Sequence, residues 1–114
     1  MKSIVTNDLE HCIISGSPYV AMHHCVEGTA NRAISDDDGL IVPLDPKLHN
    51  EGGKQQLGER CDVHHCAKMS KLMHIIGEQA WIIDYICARY ELPFEDIKEE
   101  AKEMFIGRYG KNYI

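Results

Sequence analysis

The histidines of this chain are placed in a way that few folds can satisfy. Five of its seven histidines fall in three tight groups: His23-His24, His49 and His64-His65. Imidazole both ligates divalent metals and moves protons near neutral pH. Groups this far apart in sequence meet only if several elements fold back on one another. A converged cluster therefore demands a compact fold that mixes strand, helix and loop.

Composition permits such a fold. The 114 residues suit one domain with one modest core. A hydrophobic share of 44% excludes a disordered chain. No apolar run approaches the roughly 20 residues that span a bilayer, so no membrane partner is expected. Residues 1–10 hold Lys2 but also Asp8 and Glu10, without the apolar run of a signal peptide, so a cytoplasmic location is expected. Five cysteines (Cys12, Cys25, Cys61, Cys66 and Cys87) are an odd number, which argues against a disulfide framework. The net charge of −6 opposes non-specific phosphate binding. The acid is concentrated in Asp36-Asp37-Asp38 and between Glu91 and Glu103. Arg32, Lys47, Lys54, Arg60, Lys68 and Lys71 leave the middle nearly balanced.

Along the chain, Cys12-Ile13-Ile14 reads as a first short strand that stops at the turn signal Ser15-Gly16-Ser17-Pro18. Tyr19 to Cys25 reads as a second, with His23 and His24 on opposite faces. Glu27 to Gly39, rich in Gly, Asn, Ser and Asp, reads as a loop. Leu40-Ile41-Val42 is a strand or an extended approach to Pro43. Asp45 caps a helix that starts at Pro46 and carries Leu48 and His49, and Gly52-Gly53 ends or weakens it. Lys54 to Asp62 is a connection. Ala67 to Tyr90 has a helical period, with a stripe of Leu72, Ile76, Ala80, Ile83 and Cys87. Trp81, Met69 and Met73 read as core. A last helix opens at Pro93, buries Phe94, Ile97, Ala101, Met104 and Phe105, and closes at Gly107 and Gly110.

An isolated histidine on a strand or helix is ordinarily a solvated or hydrogen-bonded side chain. Five in three groups suggest a shared task. In a His-His strand pair, one imidazole can bind a metal while the other acts as a general base. His49 on a helix and His64 beside a helix start would add ligands on rigid elements. Together they form the constellation of a one-metal nuclease, whose ligands must leave room for phosphate and water. Arg32 and Lys47 are the basic side chains best placed to touch phosphate. A competing set is a zinc knuckle of Cys61, His64 and Cys66 completed by Cys12, although the spacing of Cys61 and Cys66 matches no common pattern. Cys25 and Cys87 read as buried free thiols. His11 and His74 receive no role.

A family resemblance rests on an ordered series of short motifs. They are His23-His24, Gly28-Thr29-Ala30-Asn31-Arg32, Ser35-Asp36, Gly39-Leu40-Ile41-Val42-Pro43-Leu44, His49-Asn50 and Val63-His64. This series resembles a group of small phage and prophage HNH-type proteins similar to the recombination enhancement function nuclease. The ending from Met104 through Gly107-Arg108-Tyr109-Gly110 to Ile114 is similar to the common C-terminus of that group. The likeness covers most of the chain from Cys12 onward.

The resemblance implies an α+β fold in one domain over 1–114, with a ββα-metal (HNH-like) core over about 11–66 and two C-terminal helices over about 67–114. It implies that His23 is a metal ligand, His24 the general base, His49 a second ligand and His64 a further histidine near the metal. Asp36 falls where such proteins orient the base. The implied activity is metal-dependent DNA endonuclease action in phage recombination or DNA processing, with phage or host recombination proteins as partners. Magnesium or manganese is the expected ion, and imidazole ligands also suit zinc or nickel. The chain departs from the family pattern at four places. Ser15 follows Cys12 where a second cysteine is usual, and Asp45 stands where a cysteine precedes the helix. Leu48 replaces a histidine, and the segment from Glu51 to Asp62 is longer. The readings that compete with a nuclease are a zinc-stabilised DNA- or protein-binding module and a degenerate nuclease kept for interaction.

Overall fold

The computed structural model describes residues 2–49 and 62–114. The architecture is mixed α+β, with a two-stranded antiparallel sheet and four α-helices among the described residues. Strand β1 (Ala21–His24) pairs with β2 (Ile41–Leu44) in the register Ala21 to Leu44, Met22 to Pro43, His23 to Val42 and His24 to Ile41. Pro43 is tolerated because the pairing is two strands wide and needs no donor from its outer edge. Between the strands lies α1 (Thr29–Asp38), and α2 (Pro46–His49) follows β2. A 3₁₀ turn (Val63–His65) leads into α3 (Ala67–Trp81). A π-helical stretch (Ile82–Ala88) extends α3, and α4 (Phe94–Tyr109) closes the fold. No helix among the described residues is long and apolar enough to cross a membrane.

Helix α1 lies where a loop is expected. Its inward face is built from hydrogen-bonding groups, so it carries no apolar period to read. Ser35 and Asp38 are its buried residues. The Ser35 hydroxyl donates to the Val26 carbonyl at 2.8 Å, and the Asn31 amide donates to the Tyr109 carbonyl at 3.1 Å. Gly39 ends the helix in the left-handed conformation at φ 76°.

Cys12 to Ser15 forms a turn in place of the expected strand. The Gly16 amide bonds to the Cys12 carbonyl, and the Cys12 amide to the Ser17 carbonyl, both at 2.9 Å. Those bonds close a loop and leave no run of extended backbone for a ladder. The expected start of α2 holds, with Asp45 Oδ1 accepting from the Lys47 amide at 2.9 Å. Gly52-Gly53 and Lys54 to Cys61 lie outside the described residues.

The long helix buries a face rotated from the expected stripe. Met73, Gly77, Trp81, Ile82 and Ile86 are buried, while Leu72 and Ile83 are exposed. The shift begins before the π-helical stretch: Met73, Gly77 and Trp81 follow at four-residue steps, one position on from the expected Leu72, Ile76 and Ala80, of which Ile76 and Ala80 pack only at the core's margin. On α4, Ala101, Phe105 and Tyr109 are buried and Phe94 and Ile97 pack at the edge, but Met104 is exposed. Gly107 lies within α4, and Gly110 alone ends it, at φ 79°.

One buried carboxylate joins these helices. Asp38 ends α1 and is 4% exposed. It accepts hydrogen bonds from Trp81 Nε1 at 3.0 Å and Tyr109 Oη at 2.8 Å, and it pairs with the Arg108 guanidinium through both carboxylate oxygens. Replacing Asp38 by Ala would leave three buried or half-buried donors without an acceptor. We expect a loss of about 3 kcal/mol in urea unfolding. An unchanged unfolding midpoint would show that these bonds contribute nothing net.

Candidate metal centre

Three separate elements deliver one imidazole each to a common point. β1 contributes His23, α2 contributes His49, and the 3₁₀ turn contributes His64. The short connection from β2 through Asp45 swings α2 back across the strand pair, and α3 carries the preceding turn against it. One ring nitrogen from each of His23, His49 and His64 lies within 4.8 Å of the others. The ring centroids are 5.3 Å apart for His23–His49 and His23–His64, and 4.5 Å for His49–His64.

The donor set fits a divalent metal. His23 is 2% exposed, and its Nε2 is buried with no hydrogen-bond partner. A buried, unpartnered nitrogen costs free energy unless something accepts its lone pair or its proton. The Nε2 atoms of His49 and His64 approach to 2.9 Å, so the pair can share one proton or one cation. Ligand bonds of about 2.0–2.1 Å close the 4.8 Å span with small side-chain rotations. Burial pushes the His23 imidazole down to about 3, and the neighbouring rings of His49 and His64 act in the same direction. His23 is therefore neutral at physiological pH, as a ligand must be.

His24 follows on the strand, and its ring is held apart from the triad. Its Nε2 lies 2.6 Å from Asp36 Oδ1. That contact places the proton on Nε2 and leaves Nδ1 as the acceptor nitrogen. Arg32 and Asp36 are four residues apart on α1, hence on one helical face. Arg32 lines the same cleft as His23, His24, His49 and His64, a cavity of about 420 Å³. Lys47 is exposed on α2 and is not part of this lining.

A smaller recess of about 290 Å³ adjoins the cleft and shares His23, Glu27 and His64 with it. His65 turns away from the triad to the buried carboxylate of Asp62, at 2.6 Å. Sequence reasoning missed Glu27, which lines both cavities. Its even spacing from His23 and Cys25 was the available signal.

Among the described residues, no cysteine joins the group that these histidines form. Cys61 lies outside the described residues, and Cys12, His64 and Cys66 do not form a ligand group among the described ones. Cys12 Sγ accepts from the amides of Ile14 and Ser15, each at 3.4 Å. Burial raises the thiol of Cys12, but hydrogen bonds from Ser15, Asp45 and Ile14 outweigh it and hold the thiol below its ordinary value. Burial pushes Cys25 up to about 12, so it is an inert core thiol. No family model matches the chain, and no curated protein or solved structure matches it.

The buried His23 gives stability a pH dependence of known sign. In the unfolded chain its imidazole takes a proton near 6.5, but in the folded protein only at about 3. Between these values the unfolded state binds the extra proton, so stability falls as the pH drops from 6.5 towards 3. For the metal-free protein, we expect His23→Leu to remove up to about 1.4 kcal/mol per pH unit from the slope of unfolding free energy in that window. A variant with the wild-type slope would show that native His23 already carries its proton.

Proposed function

We propose that this protein is a metal-dependent DNA endonuclease of the ββα-metal (HNH-like) kind, acting in phage recombination or DNA processing. The observation that carries the reading is the His24–Asp36 pair beside three converging imidazoles in one cleft with Arg32. The antiparallel pair β1–β2 followed by α2, with histidines on β1 and α2, supports such a core, although the ten-residue α1 is inserted between the two strands. Phosphodiester hydrolysis needs a base for water, a counter-charge for phosphate and a site for the cation, and these residues offer one group for each.

His24 Nδ1 takes a proton from water as the water oxygen bonds to phosphorus and the bond to the 3′ oxygen breaks. Asp36 holds the ring and offsets the charge that His24 gains. Arg32 binds a non-bridging phosphate oxygen and sets the register of the strand. His23, His49 and His64 would hold a divalent ion, which would supply Lewis-acid chemistry at the phosphate when bound. Sequence alone put magnesium or manganese first. Three neutral imidazoles weigh towards zinc or nickel, because magnesium prefers oxygen donors. With a net charge of −6, affinity for DNA depends on that ion more than on the protein surface. Lys47, exposed on the outer side of α2, is a weaker candidate for phosphate contact than Arg32.

A second reading, a metal-stabilised interaction module without catalysis, is favoured by Leu48. That side chain packs against the core where relatives of the HNH type place another histidine, so α2 offers only His49 to an ion. Plasmid nicking with zinc, nickel, manganese or magnesium separates the two readings. We expect His24→Ala to lower cleavage by about 10²–10⁴-fold with metal content and melting temperature unchanged. A variant that loses its metal or unfolds would overturn the role given to His24. Absence of cleavage by wild type with every ion would leave the interaction module.

A further inference from the structure

The cleft wall carries a carboxylate that the proposed chemistry does not use. Glu27 lies two residues beyond Cys25 and borders both cavities together with His23 and His64. It lies outside the group of donors that converge within 4.8 Å. Its Oε1 is held at 3.0 Å by Nε2 of His74, on α3. The ring of His74 is stacked on Tyr113, with centroids 4.2 Å apart and planes 20° from parallel. Tyr113 is fixed in turn, since its amide donates to Oε1 of the fully buried Glu78 at 2.9 Å. An exposed glutamate with no task would not need a ring clamped from both sides to hold it, because ordering a free glutamate side chain costs conformational entropy.

We propose that Glu27 is the charge-balancing carboxylate of the cation site, acting from the cleft wall, and that His74 is the positioning residue that aims it. The proposal rests on the metal-binding reading of the triad. Three neutral imidazoles bring no negative charge to a doubly charged ion. Within a half-enclosed cleft, a carboxylate at the wall lowers the energy of that ion far more than the same charge would in open water. Groups just outside the ligand set commonly tune metal affinity by about 10–100-fold. The pairing also fixes the His74 tautomer, with its proton on Nε2 towards Glu27. His74 thereby performs for the carboxylate what Asp36 performs for His24.

The test titrates the full-length, metal-free protein with cobalt(II) alone, followed by visible absorption and calorimetry, so that no catalytic readout is needed. Glu27→Gln keeps the shape and the hydrogen bond to His74 and removes the charge. We expect it to weaken cobalt binding by about tenfold or more. His74→Phe keeps the stack on Tyr113 and releases Glu27, and we expect a smaller weakening. In the Glu27→Gln background, His74→Phe should add nothing, because His74 acts through Glu27 alone. Wild-type affinity in Glu27→Gln, with wild type itself binding cobalt, would overturn this inference and leave the triad standing. Equal losses from His74→Phe with and without Glu27 would make His74 merely structural and overturn its positioning role. Failure of wild type to bind cobalt, nickel or zinc would sink the metal reading itself.

Discussion

Asp38 is the point through which the tertiary structure is tied. Its carboxylate ends α1 and gathers donors from α3 and α4, elements more than 40 residues away in sequence. Burying a charged group is costly, and only a full set of charge-assisted hydrogen bonds offsets the cost. Here the set comprises an indole, a phenol and a guanidinium. The arrangement is directional, so it specifies how α1 sits against the helical layer in a way that apolar packing alone does not. Because α1 also carries Arg32 and Asp36, the same bonds set the position of the carboxylate that meets His24.

The sequence was informative where apolar periodicity and local signals agreed. The His-His strand, the Asp45–Pro46 helix start and the two C-terminal helices were legible in this way, and Leu40 to Val42 was one of two readings, a strand or an extended approach to Pro43. It was misleading where the inward face is polar. Thr29 to Asp38 looks like a loop because Asn31, Ser35 and Asp38 satisfy backbone and side-chain partners rather than fill an apolar core. Along α3 the apolar residues offer more than one stripe, and the buried one runs through Met73 and Trp81 and on to Ile82 and Ile86. Convergence of His23, His49 and His64 was expected from clustering. Glu27 and His74 stayed hidden because 47 residues separate them and neither belongs to a motif.

The two faces of β1 divide its histidines between different environments. His23 is buried beside His49 and His64, where burial keeps it neutral and its Nε2 has no hydrogen-bond partner. His24 instead meets the half-exposed Asp36, with its Nε2 2.6 Å from Oδ1. Strand alternation thus gives adjacent, identical side chains different neighbours without any further device.

The close approach of α3 to the end of β1 has a mechanical consequence. A Cβ built on Gly77 would lie 2.6 Å from the Cys25 Cβ, so helix and strand meet there almost backbone to backbone. Gly77 is three residues from His74, and Cys25 is two from Glu27. The contact therefore works as a fulcrum, with the His74–Glu27 pair on one short lever arm. A single methyl group at position 77 would force the helix back by about 1 Å, a displacement of the size that can alter site chemistry about 100-fold. The size of one missing side chain thus gauges the spacing of a cleft that it never touches.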